Sequence, residues 1–211
     1  MTTHFIGCTH FGHENIIGLS NRPFFNVWDM NETMARNWNE TVHDHDIVYV
    51  LGDFAWTNQR YWSQKLKGRK VLVLGNHDRR DKYEGLGLFD QIVDYKMINI
   101  EGTDFVLFHY PIEDWDGRWR GSIHLHAHTH SAAFRNPVLP WIEESGLRMP
   151  GDPPGRALHL DTLQSRSAIA SASALRQLTT ALSLLRPYLR SQLRLTQHVT
   201  EHIDDLSQSI Q

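Results

Sequence analysis

Six side chains in the first 130 residues form a set whose types suit the binding of transition-metal ions. They are His10, Asp53, Asn76, His109, His128 and His130. Neutral imidazole nitrogens and carboxylates bind Zn, Mn, Fe and Ni, and one carboxylate can bridge two ions with its two oxygens. Two ions about 3.5–4 Å apart polarise a phosphate ester and lower the pKa of a shared water. Several imidazoles, one aspartate and one neutral oxygen donor therefore predict a site for two metal ions.

Short apolar segments precede these side chains and predict the strands that position them. The predicted strands cover residues 4–8, 47–51, 71–74, 98–100, 105–108, 123–126 and 157–160. Between them, residues 30–42 have apolar side chains at helical spacing and residues 61–66 predict a shorter helix. Buried strands alternating with helices predict a layered α/β fold. In such folds, ligands bind beyond the carboxyl ends of the strands, where loops bring distant residues together.

Short motifs around the candidate ligands follow one another in a recognisable order. They are Cys8-Thr9-His10, Gly52-Asp53, Gly75-Asn76-His77-Asp78, Phe108-His109-Tyr110-Pro111 and Ala127-His128-Thr129-His130. In order and spacing they resemble the motifs of the calcineurin-like metallophosphoesterases, over about residues 4–161. Residues 9–13 and 21–24 look like the small bacterial and phage branch of that family. The resemblance implies a layered β-sandwich flanked by helices.

The resemblance also implies a role for each candidate ligand. His10 and His130 would bind a first metal, with Cys8 in the place of the usual aspartate, and Asp53 would bridge both ions. The second metal would be bound by Asn76, His109 and His128. The cofactors would be two divalent transition-metal ions, Mn, Zn, Fe or Ni. A metal-bridging hydroxide would then attack a phosphodiester or phosphomonoester in line with the leaving group.

Four further residues are candidates for a role in catalysis or in substrate binding. His77 would sit beside the substrate phosphate and help the leaving oxygen depart, by proton donation or charge stabilisation. Asp78 would orient His77. Arg22 and His13 are candidates for phosphate contacts, although the Arg22-Pro23 pair also fits a role in fixing a loop.

Cys8 is the main departure from the family pattern. A thiolate carries the same charge as a carboxylate, and a metal can deprotonate the thiol. A sulfur ligand would favour Zn or Fe over Mn or Mg. Two alternatives stay open: a non-ligand Cys8 with a weak or missing first metal, and an inert residue packed under the site. Ala127 replaces the usual glycine, which predicts either a tolerant backbone angle or a shifted loop.

Composition limits the setting in which this chemistry takes place. The single cysteine excludes an intrachain disulfide, and the net charge of −3 gives no support for nucleic-acid binding. The first seven residues lack a signal-peptide pattern, and the longest apolar runs are far too short to span a membrane. These features predict a cytoplasmic protein without a membrane partner. The resemblance to the calcineurin-like family implies that it acts on a small phosphate ester or a nucleotide, while nucleic acid stays possible but is not indicated by charge.

The chain is predicted to have two parts, a metallophosphoesterase domain over residues 1–161 and an α-helical tail over residues 162–211. Five leucines in the tail have alternating three- and four-residue spacing, as in amphipathic helices. They are Leu175, Leu178, Leu182, Leu185 and Leu189. The tail is expected to fold against the domain or to form a homo-oligomer or a partner-binding arm. An alternative function follows: a metal-impaired family member that acts as a protein-interaction module through its tail.

Overall fold

The computed structural model describes residues 1–130 in full, and residues 156–159 and 170–171 as strands. The chain divides into two units, Met1–Ala172 and Ser173–Gln211, and all described residues belong to the first. The strands are β1 Thr3–Ile6, β2 Ile47–Val50, β3 Arg69–Val73, β4 Gln91–Val93, β5 Tyr95–Ile100, β6 Thr103–Phe108, β7 Ile123–His126, β8 Arg156–His159 and β9 Ala170–Ser171. The α-helices are α1 Ile16–Leu19, α2 Val27–Thr41, α3 Gln59–Lys65 and α4 Arg80–Leu86, and a 3₁₀ helix spans Arg118–Arg120.

The first sheet has the strand order β4-β3-β2-β1-β9 and is covered by helices. Strands β1 to β4 are parallel, and β9 pairs antiparallel with β1. Helix α2 is preceded by Asn26, whose side chain accepts a hydrogen bond from the backbone N–H of Asp29 and so caps the first turn. Its buried residues include Met34 and Trp38. Burying each such apolar side chain stabilises the fold by about 1.5–3 kcal/mol.

The second sheet has the strand order β5-β6-β7-β8. Strands β5 and β6 form an antiparallel hairpin, and β6, β7 and β8 are parallel. The rings of Phe5 in β1 and Phe105 in β6 are both fully buried, with centroids 5.5 Å apart. The two sheets therefore contact each other through apolar side chains.

The α/β fold predicted from the sequence is confirmed, and each strand and helix predicted within the described residues overlaps an observed one. Helices α1 and α4 and strands β4 and β9 were not predicted. Tyr83 is the one buried side chain of α4, so the helix lacks a periodic apolar pattern. The layered sandwich stays a prediction. Among the described residues, no helix is long and apolar enough to cross a membrane.

Two expectations concern the region after residue 130. The domain boundary at residue 161 stays a prediction, although Ala170–Ser171 lies beyond it and pairs with β1 of the first sheet. The helical tail, and with it the homo-oligomer and the interaction arm, lies outside the described residues.

Candidate metal centre

The candidate ligands meet at the carboxyl ends of five strands from the two sheets. Cys8 and His10 follow β1, Asp53 follows β2 and Asn76 follows β3 in the first sheet. His109 follows β6, and His128 and His130 follow β7 in the second. Parallel strands end at the same edge of a sheet, so residues more than 100 positions apart come within contact distance.

The first group of ligand atoms, here called the cysteine half-site, comprises Cys8, His10, Asp53 and His130. These atoms all lie within 4.8 Å of one another. His10 Nε2 is 3.2 Å from His130 Nε2 and 3.5 Å from Asp53 Oδ2. The Cys8 sulfur accepts a hydrogen bond of 3.2 Å from the backbone N–H of His128. The sulfur therefore faces the other three donors rather than the apolar core.

The second group, here called the asparagine half-site, comprises Asp53, Asn76, His109 and His128. The ligand atoms of Asp53, His109 and His128 lie within 4.8 Å of one another. Asn76 Oδ1 is 3.0 Å from both His109 Nε2 and His128 Nδ1. His109 Nε2 is also 3.6 Å from Asp53 Oδ2. The same carboxylate oxygen of Asp53 thus faces both half-sites.

The protonation pattern of His109 fits a bound cation. Its Nδ1 lies 2.8 Å from the backbone oxygen of Leu51, which can only accept, so Nδ1 carries the proton. In the neutral ring, Nε2 then carries a lone pair. Its neighbours are the oxygens of Asn76 and Asp53, which also carry lone pairs. A cation between these donors replaces their mutual repulsion by attraction. A hydrogen bond from the second ring nitrogen to a carbonyl is also how metal-binding histidines are usually oriented.

The backbone of the site is strained at the ligands themselves. Five of them have the left-handed φ that side chains other than glycine rarely adopt: Cys8, His10, Asp53, His128 and His130, with φ between 50° and 71°. Each such residue costs about 1–2 kcal/mol, and strain of this kind clusters at functional sites. Ala127 is not among the described residues with positive φ. Alanine is therefore tolerated there because the left-handed conformation falls on His128.

Two glycines let the strand-end loops approach each other. Gly52 has a φ of 84°, and a Cβ placed on it would lie 2.6 Å from the Cα of Gly75 and in collision with His109. A Cβ on Gly75 would in turn lie 2.6 Å from the backbone nitrogen of Asp53. Only glycine at both positions permits Asp53 and His109 to face each other across this gap.

Asp78 and Arg22 have surroundings different from those expected. Asp78 accepts hydrogen bonds from the backbone of Asp53, Phe54 and Gly75, at 2.7 to 3.1 Å. Burial is the main cause that raises the pKa of Asp78. Its described hydrogen bonds thus go to the loops that carry ligands and not to His77. The role of Asp78 in orienting His77 stays a prediction, and its contacts indicate that it positions Asp53.

Arg22 is buried behind the cysteine half-site. Its guanidinium donates to the backbone oxygen of Cys8 at 2.9 Å and to that of Thr9 at 3.1 Å. These bonds support the second of the two roles expected from its sequence, the fixing of a loop. Phosphate binding by Arg22 stays a prediction, and its burial makes that role the weaker of the two.

Burial and nearby charges keep the buried ligand histidine neutral. Desolvation lowers the pKa of His10 to about 2, with further lowering by the Arg22 charge and by the neighbouring histidines. Burial is also the main cause that lowers the pKa of His128. Both rings therefore present lone pairs near neutral pH, which is the form that binds a metal.

His77 and His13 flank the ligands together with a residue that the motifs did not indicate. The backbone N–H of His77 donates to Asp53 Oδ1 at 3.0 Å, and its side chain is exposed. The rings of His13 and His77 lie 5.7 and 5.8 Å from that of His10. Trp56 contacts both, at 4.4 Å from His13 and 5.3 Å from His77. A role for Trp56 was not predicted from the sequence, because this residue belongs to no motif. Its position three residues after Asp53 is the feature of the sequence that could have indicated one.

Two further histidines of the short His-rich segment before His128 lie apart from the two half-sites. His124 and His126 are buried in β7, and neither belongs to the ligand groups among the described residues. The ring nitrogens of His124 face the backbone oxygens of Val106 and Tyr110.

Comparisons with known proteins identify relatives but no activity. The chain matches no family model. It is 37% identical over 131 residues to the uncharacterized protein MJ1445 of Methanocaldococcus jannaschii, covering 60% of this chain and 68% of that protein. It is 29% identical over 161 residues to the Gene 66 protein of Mycobacterium phage L5, covering 61% of this chain and 77% of that protein.

Two solved structures were matched, and the first of them shares the fold. The protein of unknown function AQ665 from Aquifex aeolicus has a TM-score of 0.64 and 24% identity, covering 84% of this chain and 98% of that one. This likeness shows that the two proteins share a fold. YfcE, a phosphoesterase from E. coli, has a TM-score of 0.37 and 17% identity, covering 62% of this chain and 70% of that one. That likeness is too weak to bear on function.

Proposed function

The chain belongs to the protein family of archaeal MJ1445, and we propose that it is a phosphoesterase that binds two divalent metal ions. One observation supports this above the others: two groups of ligand atoms share a single carboxylate oxygen of Asp53. A carboxylate between two sets of imidazoles is the arrangement that holds two ions close together.

The donor set suits transition metals. The cysteine half-site would bind one ion through a thiolate, two imidazoles and a carboxylate, and the sulfur favours Zn or Fe. The asparagine half-site would bind the other through two imidazoles, an amide oxygen and the same carboxylate, which suits Mn, Zn, Fe or Ni. The N–H of His128 that points at the Cys8 sulfur stabilises a thiolate, since a hydrogen bond to the charged form favours it.

Charge balance favours an anionic substrate. The ligands contribute two negative charges, the Cys8 thiolate and the Asp53 carboxylate, against four positive charges on two divalent ions. The net charge of +2 attracts a phosphate group. When bound, two such ions polarise a phosphate ester and lower the pKa of a water between them.

Two histidines of the chain can act on the substrate. His13 Nδ1 accepts a hydrogen bond of 2.9 Å from the backbone N–H of Ile16, so the neutral ring carries its proton on Nε2 and can donate to a phosphate oxygen. His77 is anchored by its backbone N–H to Asp53 Oδ1 while its ring is exposed. We assign to His77 proton donation to the leaving oxygen, or stabilisation of its charge.

The experiment that tests this function measures metal content and turnover together. The purified chain is analysed for bound metals and assayed with bis-p-nitrophenyl phosphate and p-nitrophenyl phosphate, with and without added Mn²⁺. We expect two equivalents of metal per chain and hydrolysis of at least one ester. Less than one equivalent, with no turnover even in added Mn²⁺, would contradict the proposal and favour a non-enzymatic role.

A further inference from the structure

The loop that carries the exposed ring of Trp56 is held in place beside the metal centre by hydrogen bonds to its backbone. Its backbone N–H donates to the oxygen of Phe11 at 2.9 Å, and its own backbone oxygen accepts from the Gln59 side chain at 3.1 Å. Gln59 also donates to Ala55 at 2.9 Å, and Phe11 and Ala55 form a β-bridge. The loop that carries the indole is therefore braced on both sides.

The indole is half exposed although its ring contacts two histidine rings. Trp56 keeps 49% of its surface accessible, and it is not part of the apolar core cluster. An exposed aromatic residue by itself needs no explanation, and Trp28 on helix α2 is 71% exposed. Trp56 differs from Trp28 in its contacts, because it touches two histidines beside the ligands. Among the described residues, Trp28 has no such ring contact.

His13, Trp56 and His77 form a continuous surface, here called the aromatic wall. The His13 and Trp56 rings meet at 85°, and those of Trp56 and His77 at 64°. Both histidine rings also contact His10, a ligand of the cysteine half-site. A phosphate held at the metal centre next to His77 would therefore place its ester group near the indole.

We propose that the aromatic wall binds the base of a nucleotide, so that the natural substrates are phosphate esters of nucleosides. This inference rests on the proposed phosphoesterase function and adds the class of substrate to it. A rigid, exposed indole gains most from a planar aromatic ring, since every nucleobase has a π-face that can pack on it. The wall contains no lysine or arginine. Its two histidines are assigned to the phosphate and the leaving oxygen, so the indole is the part of the wall that adds affinity for the base.

The test compares two ligands that differ only in the base. The methylenephosphonate analogues of adenosine 5′-monophosphate and ribose 5-phosphate, which a phosphoesterase cannot hydrolyse and which are called below by the names of the parent compounds, are titrated calorimetrically into the Mn²⁺-loaded full chain, into Trp56→Ala and into Trp28→Ala as a matched control. We expect the wild type to bind the nucleotide about tenfold more tightly than the sugar phosphate. Trp56→Ala should lose this difference while still binding ribose 5-phosphate as the wild type does, and Trp28→Ala should keep it.

Three results would overturn the inference, and they separate it from the proposed function. Equal binding of both ligands by the wild type would leave a phosphate site without base recognition. An equal loss of both ligands in Trp56→Ala would show that the indole supports the site rather than the base. Binding of neither ligand by a wild type that holds two metal ions and hydrolyses an aryl phosphate ester would overturn the wall alone, since metal content and turnover test the phosphoesterase function separately.

Discussion

The cysteine half-site and the asparagine half-site share Asp53 and two-histidine composition but differ in their last donor. Cys8 offers a soft, anionic sulfur, whereas Asn76 offers a neutral amide oxygen. Soft and hard donors select different metals. Two ions that share one carboxylate therefore need not be equivalent. The affinity of each half-site for a given metal is set by its own last donor, the sulfur of Cys8 or the amide oxygen of Asn76.

The two half-sites also differ in how the chain supports them. The loop carrying Cys8 is held from behind by the buried Arg22, whereas His109 is oriented by the backbone oxygen of Leu51. The sulfur is buried while Asn76 is exposed. The cysteine half-site is therefore supported by a buried side chain, Arg22, and the asparagine half-site by a backbone oxygen at the end of a strand.

Removal of the shared ligand should affect both half-sites at once. In Asp53→Asn, the loss of the common negative charge should reduce bound metal from two equivalents to below one. Turnover should fall by about a thousandfold or more, because each ion contributes several kcal/mol to the transition state. Metal analysis and steady-state kinetics measure this, with the exposed Asp44→Asn as the control. Retention of both ions would show that Asp53 does not bridge them.

A change at His77 should lower activity while leaving the half-sites intact. His77→Asn removes the proposed proton donor, so kcat should fall by about a hundredfold at unchanged metal content. The exposed His45→Asn is the control and should behave as the wild type. A parallel loss of metal in His77→Asn would instead assign the residue to metal binding.

A change at Arg22, which supports the cysteine half-site, should have a smaller effect and should weaken metal binding at that half-site alone. Arg22→Lys keeps the charge but loses the planar group that reaches two backbone oxygens at once. Affinity for the ion at the cysteine half-site should fall about tenfold, as for other residues that hold ligands in place. The second ion should be retained. Competition with a chelator measures both affinities, and the exposed Arg120→Lys provides the control; equal weakening of both ions would count against the assignment.

The smallest effect is expected for a substitution at Cys8 that makes the donors of the two half-sites more alike. Cys8→Asp replaces sulfur with oxygen, so manganese should bind better at the cysteine half-site and Mn²⁺-supported turnover should rise severalfold. Activity and Mn²⁺ occupancy are measured across a titration of the metal. No change in either would indicate that Cys8 is not a ligand.

The sequence predicted the strands and the convergence of the ligands well, for a physical reason. Buried parallel strands such as Ile47–Val50 have an apolar pattern that is readable locally, and the next polar residue must lie at the sheet edge. The roles of Arg22 and Asp78 could not be read in the same way. Both depend on hydrogen bonds to backbone atoms of distant loops, which leave no periodic pattern.

The position of Trp56 beside the metal centre also could not be predicted from the sequence. Its exposure and its contacts with His13 and His77 arise from three separate loops. A tryptophan in a sequence is more often part of a core, as Trp38 is. Only the fold distinguishes these two uses of the same residue type.

The most direct test of the account is a crystal structure of the metal-loaded chain with anomalous diffraction measured at the absorption edge of the bound metal. The account predicts two anomalous peaks, one on each side of Asp53, with the Cys8 sulfur about 2.3 Å from the nearer ion if that ion is zinc. A single peak between Asn76, His109 and His128, with the sulfur outside bonding distance, would contradict it.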